Sequence, residues 1–210
     1  MNLHDHTAMS LTFELADPSP PHGAVTAAVL HADGIQVTPC NRVGTNGNDL
    51  SRGSLIAASL HTYGRGHVRL RADDPSASPE VVFDSYGDER DRIALRRAAR
   101  LLFRVAAEVG PGIGRVSEVA SDLRDGDNTV LDEWIEENAA DVLHAAGTCR
   151  MGRRSDERAV VDESATLIGY RGVSVIDASI MPELPSANPH LPIVMLATLA
   201  TRRLIGSLAE

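Results

Sequence analysis

Two histidines in one C-terminal segment constrain the fold more than any other feature of this chain. The segment runs from His144 to Ile205 and opens with His144-Ala145-Ala146-Gly147-Thr148. Its small residues permit close approach of another backbone or of a flat ligand. Further on, His190 follows Asn188-Pro189 and opens an apolar run that ends at Ala200. Each histidine therefore lies at a sharp local break, and the β-branched run 173–176 between them predicts a strand buried on both sides.

Composition narrows the class of protein. The chain has 210 residues, 43% of them hydrophobic and 23% charged, which is ordinary for a globular protein with a real core. Its net charge of −9 argues against nucleic acid or an anionic membrane surface as a partner. Cys40 and Cys149 have no paired spacing, so we expect neither a disulfide framework nor a cysteine zinc site. No apolar stretch has membrane-spanning length and the first residues lack a signal-peptide core, so we expect a cytoplasmic protein.

The first part of the chain predicts antiparallel strands. Residues 9–15 alternate apolar and polar side chains, the pattern of a half-buried strand. Asp33-Gly34 predicts a hairpin turn between Val25–Leu30 and Ile35–Val37. We also expect a hairpin at Tyr63-Gly64-Arg65-Gly66, a short strand at 81–83, and a loop over Asn41–Gly53.

Helical patterns occupy the middle and the end of the chain. Residues 88–109 carry an apolar stripe at helical spacing, formed by Ala94, Ala98, Leu101, Leu102, Val105 and Val109. Gly110-Pro111 predicts that this helix stops there. Thr129-Val130-Leu131-Asp132 is typical of a capping box that opens a second helix. A last helix is expected to start around Asn188-Pro189, with Asn as its cap and Pro in its first turn.

The order of the C-terminal motifs resembles the C-terminal half of the glucose–methanol–choline (GMC) family of flavin-dependent alcohol oxidoreductases. The resemblance is carried by a string of spaced motifs, above all 144–152, 172–182 and 186–190. It extends more weakly through 64–70 to Asn2-Leu3-His4-Asp5-His6. It implies an α/β (α+β) fold, in which an antiparallel substrate-domain sheet with flanking helices is joined to the last strand and helix of an FAD-binding domain. We place the substrate-domain portion in residues 1–143 and the catalytic and flavin-side segment in residues 144–210.

The resemblance implies a catalytic pair formed by His144 and His190. Residue type alone favours a partly exposed structural histidine at His144, and a solvent-facing histidine in the first turn of a helix is the alternative at His190. In the family, the first histidine faces the flavin and the substrate hydroxyl, and the second position carries His or Asn. A neutral imidazole can accept the hydroxyl proton while a hydride moves to the flavin. We therefore assign His144 as the base and His190 as its hydrogen-bonding partner.

Four further residues are implied as contacts of FAD. Asp177 and Ala178 would contact the ribityl–pyrophosphate region, although a turn-capping Asp is the ordinary alternative. Asn188 and Pro189 would bring the amide end of the last helix against the flavin ring, and a helix start facing solvent is the alternative there. His4 and His6 have the His-x-His spacing of two metal ligands, but with no third ligand evident we favour structural roles and expect no metal.

The family's N-terminal Gly-x-Gly-x-x-Gly fingerprint, which holds the FAD pyrophosphate, does not occur in this sequence. We therefore expect this chain alone not to hold FAD tightly. Three interpretations follow. The chain is the C-terminal, catalytic half of an FAD-dependent oxidoreductase acting on the CH–OH group of a small alcohol, completed by a separate FAD-binding polypeptide. Alternatively, it is a non-catalytic remnant, or a flavin-free small-molecule binding or interaction module. The sequence does not identify the alcohol or the electron acceptor.

Overall fold

A computed structural model describes residues 2–20, 22, 24–43, 49–71, 74, 76–116 and 121–208. The chain divides into two compact units, and neither is continuous in sequence. The first unit comprises Met1–His6, His61–Asp88 and Val142–Glu210, and the second comprises Thr7–Leu60 and Glu89–Asp141. The functional division predicted between residues 143 and 144 stays a prediction.

The second unit is built on an antiparallel sheet. In chain order its strands are β1 (Thr7–Leu15), β2 (Leu30–Ala32), β3 (Ile35–Cys40), β4 (Arg52–Ser59), β7 (Gly114–Val116) and β8 (Ala140–Asp141). The order across the sheet is β2-β3-β4-β1-β7, and β8 also pairs with β1. Along β1, Met9, Leu11 and Phe13 are buried whereas Ser10, Thr12 and Glu14 are exposed, which confirms the predicted alternation. This fold is the mixed α and β class that the sequence predicts.

The Asp33-Gly34 hairpin is also confirmed, since both residues have positive φ, 49° and 77°, and join β2 to β3. The first strand of that hairpin is shorter and later than predicted, because only Leu30–Ala32 pairs. The predicted loop at 41–53 separates β3 from β4 and ends where β4 begins, at Arg52. Its residues 44–48 lie outside the described part of the chain.

Helices pack on the sheet of the second unit. They are α1 (Glu89–Ile113), α2 (Ser121–Asp125) and α3 (Asn128–Asn138). The stop predicted at Gly110-Pro111 is wrong, since α1 continues to Ile113. Its buried face is also rotated from the predicted stripe, because it is formed by Leu95, Ala98, Ala99, Leu102, Phe103 and Ala106. Small alanines and one Phe, rather than the exposed Val109, set the contact surface.

Side-chain contacts fix α3 against α1. Arg96 donates to both carboxylate oxygens of Asp132 at 2.6 Å, a paired geometry that suits a guanidinium. Phe103 and Trp134 pack edge to face with ring centroids 4.9 Å apart.

The predicted cap at Thr129 is two residues late. Asp127 caps α3, and its side chain accepts the Thr129 backbone N–H at 2.8 Å.

The first unit contains less regular structure. A two-stranded ribbon pairs β5 (His67–Arg69) with β6 (Glu80–Val82), and α4 (His190–Leu208) is its long helix. The hairpin predicted at Tyr63–Gly66 is therefore wrong, because β4 belongs to the other sheet and β5 pairs forward with β6. The predicted partner strand reached to Ala72, which lies outside the described residues. The short strand predicted at 81–83 is found one residue earlier.

The strand predicted at 173–176 is also wrong. Ser174 makes only an isolated bridge to Thr166, and Val173 is exposed. Val175 and Ile176 pack instead on a small core of Val161, Ala165, Ile180 and Ala200. The last helix begins at His190, within two residues of the prediction, and Pro189 provides the carbonyl that accepts the Ile193 N–H at 2.8 Å. Pro189 thus immediately precedes the first turn.

The buried face of α1 generates a stability prediction. Leu102 has no exposed surface, whereas Ile93 on the same helix is 49% exposed. We expect Leu102→Ala to lower the free energy of unfolding by about 2–5 kcal/mol, because it removes apolar contacts and leaves a cavity. Ile93→Ala should change it by about 0.5 kcal/mol. Urea titration of both variants tests this, and equal losses would show that α1 does not pack as described.

Candidate active site

The His144 segment is held by the beginning of the chain. His4 and Ala146 form an antiparallel bridge, in which the His4 N–H donates to the Ala146 carbonyl at 3.1 Å and the Ala146 N–H donates back at 2.9 Å. Asn2 adds a side-chain hydrogen bond to the Gly147 carbonyl at 3.2 Å. Residues 2–6 and 144–147 therefore form one short two-stranded structure inside the first unit.

Asp5 and His6 contact His144 directly. The backbone N–H of His144 lies 3.0 Å from each Asp5 carboxylate oxygen, so that carboxylate holds the backbone of the residue. The His6 and His144 rings stand edge to face, with their Nδ1 atoms 3.0 Å apart. Both Asp5 and His6 are buried, whereas His144 is half-buried. His144 is thus held by two buried neighbours while the residue itself is not fully buried.

The residue before His144 has an unusual backbone conformation. Leu143 has φ of 63°, in the left-handed region that a leucine seldom adopts, and 87% of its surface is exposed. Such a conformation persists only where surrounding contacts enforce it. Here the Asp5 carboxylate and the His4–Ala146 bridge hold the residues that follow.

Gly147 is required by two features of this structure. Its φ is +86°, and a Cβ at this position would lie 2.6 Å from His4 Nδ1. The glycine therefore lets the His4 ring lie against the backbone of the His144 segment. The small residues after His144 predicted the close approach of another backbone or of a flat ligand, and at Gly147 the Asn2 carbonyl and the His4 ring are the nearest groups.

The predicted cofactor residues lie in two places in the first unit. The Ala178 carbonyl accepts the Gly147 N–H at 3.4 Å, so Ala178 lies beside the His144 segment. Asp177 caps the single 3-10 turn at Ala178–Ile180, where its carboxylate accepts the Ser179 N–H at 2.7 Å. This is the turn-capping role named above as the alternative, and it occupies one of the two carboxylate oxygens.

The second predicted site lies at the start of α4. Asn188 and His190 are exposed and Pro189 is buried. Within the described residues, the backbone N–H groups of His190 and Leu191 have no acceptor in the chain. Among the same residues no hydrogen bond joins His190 to His144, whose ring bonds to His6 instead. His190 as the partner of His144 therefore stays a prediction.

Sequence reasoning gave His6 a structural role and did not assign Asp5. The structure brings both to His144, and the Leu3-His4-Asp5-His6 segment was the signal that could have identified them. In the described part of the chain, no group of three or more His, Cys, Asp or Glu side chains has the geometry of a metal site. No described helix is both long and apolar enough to cross a bilayer.

His4 is a buried neutral imidazole. Burial lowers the pKa of His4 below its ordinary value of 6.5, with a smaller lowering from Arg65, while the Asn2 carbonyl at 2.8 Å and Glu183 oppose the change. If Nδ1–H donates to that carbonyl, Nε2 carries the lone pair. Nε2 is buried and has no hydrogen-bond partner among the described residues. Protonating it would place a charge in a site that does not solvate it.

Gly147 leads to a prediction with a matched control. Gly169 has the same φ of +86°, but a Cβ there would have nothing within 4 Å. Gly147→Ala and Gly169→Ala therefore share the cost of a left-handed alanine, and only the first clashes with His4. We expect Gly147→Ala to be more destabilising by about 1–3 kcal/mol, the usual cost of overpacking. Equal free energies of unfolding for the two variants would contradict the described packing of His4.

The buried His4 predicts a pH dependence. Above pH 6.5 His4 is neutral in both folded and unfolded chains, so it contributes no difference. As the pH falls below that value, the unfolded chain binds a proton at His4 and the folded chain does not, so stability decreases. The urea midpoint of the wild type should therefore drop more steeply from about pH 7 to pH 5 than that of His4→Gln. His31→Gln, at an exposed strand position, serves as the control for loss of a histidine.

Comparison with known proteins identifies the family. The sequence profile of the GMC oxidoreductase family matches residues 62–197. The chain is 32% identical over 139 residues to an oxygen-dependent choline dehydrogenase of Chromohalobacter salexigens, covering 66% of this chain and 25% of that protein. It is 35% identical over 146 residues to a 5-(hydroxymethyl)furfural oxidase of Methylovorus sp., covering 63% of this chain and 27% of that protein. The chain thus spans about a quarter of the length of these curated relatives.

Solved structures agree with the sequence matches. Pyridoxine 4-oxidase from Mesorbium loti superposes with a TM-score of 0.79 and 25% identity, over 96% of this chain and 42% of that one. A formate oxidase of Aspergillus oryzae superposes with a TM-score of 0.83 at 14% identity, over 98% of this chain and 47% of that one. At this identity the match supports the fold alone. Taken with the motifs at 144–152 and 172–190, these matches show that the chain belongs to the GMC oxidoreductase family, of which it contains the C-terminal domain.

Proposed function

We propose that this chain forms the catalytic half of an FAD-dependent oxidoreductase that converts the CH–OH group of a small alcohol into a carbonyl group. The observation that carries the proposal is the fixed position of His144. Its backbone is held by the Asp5 carboxylate, its ring is bonded to His6, and the residue is half-buried. An imidazole that is held in place without being fully buried suits a general base.

In this proposal His144 accepts the hydroxyl proton. A neutral imidazole at this position takes the proton from the alcohol oxygen, and a well-placed base contributes on the order of 10²–10⁴-fold. His190 hydrogen-bonds the same oxygen. It lies in the first turn of α4, where the partial positive charge of the helix end also favours an oxygen that is losing its proton.

FAD would be held by Asp177, Ala178, Asn188 and Pro189. The donor set fits such a group in two respects: the N–H groups of His190 and Leu191 have no acceptor in the described chain, and the Leu191 side chain beside them is 75% exposed. Free amides suit the polar edge of a flat ring, and an exposed leucine suits its apolar surface. When bound, FAD supplies the acceptor for the hydride.

A separate FAD-binding polypeptide is part of the proposal. One face of α4 exposes four apolar side chains, those of Leu191, Val194, Met195 and Leu199. They recur at helical spacing, and contiguous exposed apolar surface of this kind is typical of an interaction site. We propose that the complementing polypeptide carries the Gly-x-Gly-x-x-Gly fingerprint and covers this face.

The names of the relatives support the proposed substrate class. Three of them are named for choline, 5-(hydroxymethyl)furfural and pyridoxine. We propose a small alcohol for this protein too.

The proposal is tested by co-expressing the chain with the product of the adjacent upstream gene. We expect the complex to show the visible absorption of bound flavin and to reduce that flavin with an alcohol. His144→Ala and His190→Ala should each lower turnover at least about 100-fold, on the scale of a general base. His31→Ala, at an exposed strand position, is the control.

Three outcomes would contradict this function. Turnover within threefold of the wild type in both histidine variants would remove them from the chemistry. Tight binding of a small molecule without flavin absorption in the complex would favour the flavin-free binding module, and an insoluble chain in the presence of every candidate partner would favour a non-catalytic remnant.

A further inference from the structure

The contact between His6 and His144 restricts the protonation of both rings. Their Nδ1 atoms are 3.0 Å apart, and a hydrogen bond of this length has room for one hydrogen. In a pair of neutral imidazoles, one Nδ1 must therefore donate and the other must accept. The two rings are forced into opposite tautomers.

His6 cannot itself reach a substrate. It has no exposed surface, and neighbouring Asp5 is 1% exposed, whereas His144 is half-buried. The backbone around His6 is also fixed, because Thr62 donates to the Asp5 carbonyl at 2.7 Å and the His6 carbonyl accepts the Val142 N–H at 3.3 Å. Any effect of His6 on the reaction must therefore act through His144.

We infer that His6 is a positioning residue, which accepts a hydrogen bond from His144 Nδ1–H and so leaves the lone pair of His144 on Nε2. This inference rests on the proposed function, because it assigns the atom at which the base acts. With the opposite arrangement, His6 Nδ1–H would donate to His144. His144 Nε2 would then carry a hydrogen and could not accept the proton of an alcohol.

The proton balance of the step is simple. His144 Nε2 takes the hydroxyl proton, the O–H bond breaks, and the ring becomes an imidazolium with hydrogens on both nitrogens. Its Nδ1–H already points at the lone pair of His6 Nδ1, so the charged form keeps the same hydrogen bond. No proton passes to His6, which retains its hydrogen on Nε2.

Asp5 completes the arrangement from the backbone side. Its two carboxylate oxygens lie 3.0 Å from the His144 N–H, next to Leu143 with its left-handed backbone. The carboxylate thus fixes where the His144 Cα lies, and His6 fixes how its ring is turned and protonated. Two neighbouring residues of one segment therefore control the backbone and the side chain of the base separately.

Nitrogen NMR of the full chain tests the inference without flavin or substrate. With ¹⁵N-labelled histidine, long-range proton–nitrogen correlations distinguish a protonated from an unprotonated ring nitrogen. With both rings neutral, we expect His144 to carry its hydrogen on Nδ1 and His6 on Nε2. The reverse assignment, or rapid averaging of both tautomers at His144, would overturn the inference. The proposed alcohol oxidation could fail on its own while this result stood.

Two substitutions separate positioning from packing. His6→Asn keeps an acceptor oxygen near the place of Nδ1, whereas His6→Leu removes it, and His31→Leu controls for loss of a histidine. We expect His144 to keep the Nδ1–H tautomer in His6→Asn and to lose it in His6→Leu. In the flavin-loaded complex, kcat should fall at least about tenfold in His6→Leu with KM within threefold, and should be restored in part in His6→Asn.

An unchanged His144 tautomer in a folded His6→Leu protein would overturn the inference, as would equal loss of kcat in both variants. If neither variant folds, as judged by circular dichroism, the tautomers of the wild type decide the matter alone.

Discussion

The antiparallel bridge between His4 and Ala146 is the interaction on which the candidate site depends. Its two backbone hydrogen bonds set the register between residues 2–6 and 144–147. That register brings Asp5 to the His144 backbone, His6 to its ring, and the His4 ring onto Gly147. A shift by one residue would turn each side chain to the opposite side of the pair. The position of His144 is therefore set by backbone pairing as well as by side-chain contacts.

What could be read from the sequence was local in character. The alternation along Met9–Leu15 and the Asp33-Gly34 turn need only neighbouring residues, and the structure has both. The predicted hairpin at Tyr63–Gly66 and the predicted strand at 173–176 failed for the opposite reason. Their apolar patterns fit a strand, but the choice of partner was made by residues far away in sequence. Val173 is exposed and only Ser174 makes a bridge, so β-branched composition by itself did not produce a strand there.

The candidate site shows the same division. The family resemblance singled out His144 as a candidate, and the small residues after it predicted the close approach of another backbone or of a flat ligand. The roles of Asp5 and His6 escaped because their contacts with His144 span 139 and 138 residues. A His-x-His spacing suggested at most a metal, and nothing in the pattern tells which ring nitrogen will meet which partner. The family match supports the oxidoreductase class, and the geometry around His144 shows which side chains contact that residue.

Pairing of Thr7 with Asp141 in the second unit has a consequence for how the chain reaches its native state. Joining residues 6 and 144 directly in an unfolded chain would close a very long loop, and each doubling of loop length adds about 0.6 kcal/mol of lost entropy. Once β1 and β8 have paired, His6 and Val142 are each one residue away from a paired position. The loop that remains to be closed before residues 6 and 144 meet is then short. The order of events should accordingly run outward from the sheet, with the imidazoles meeting last.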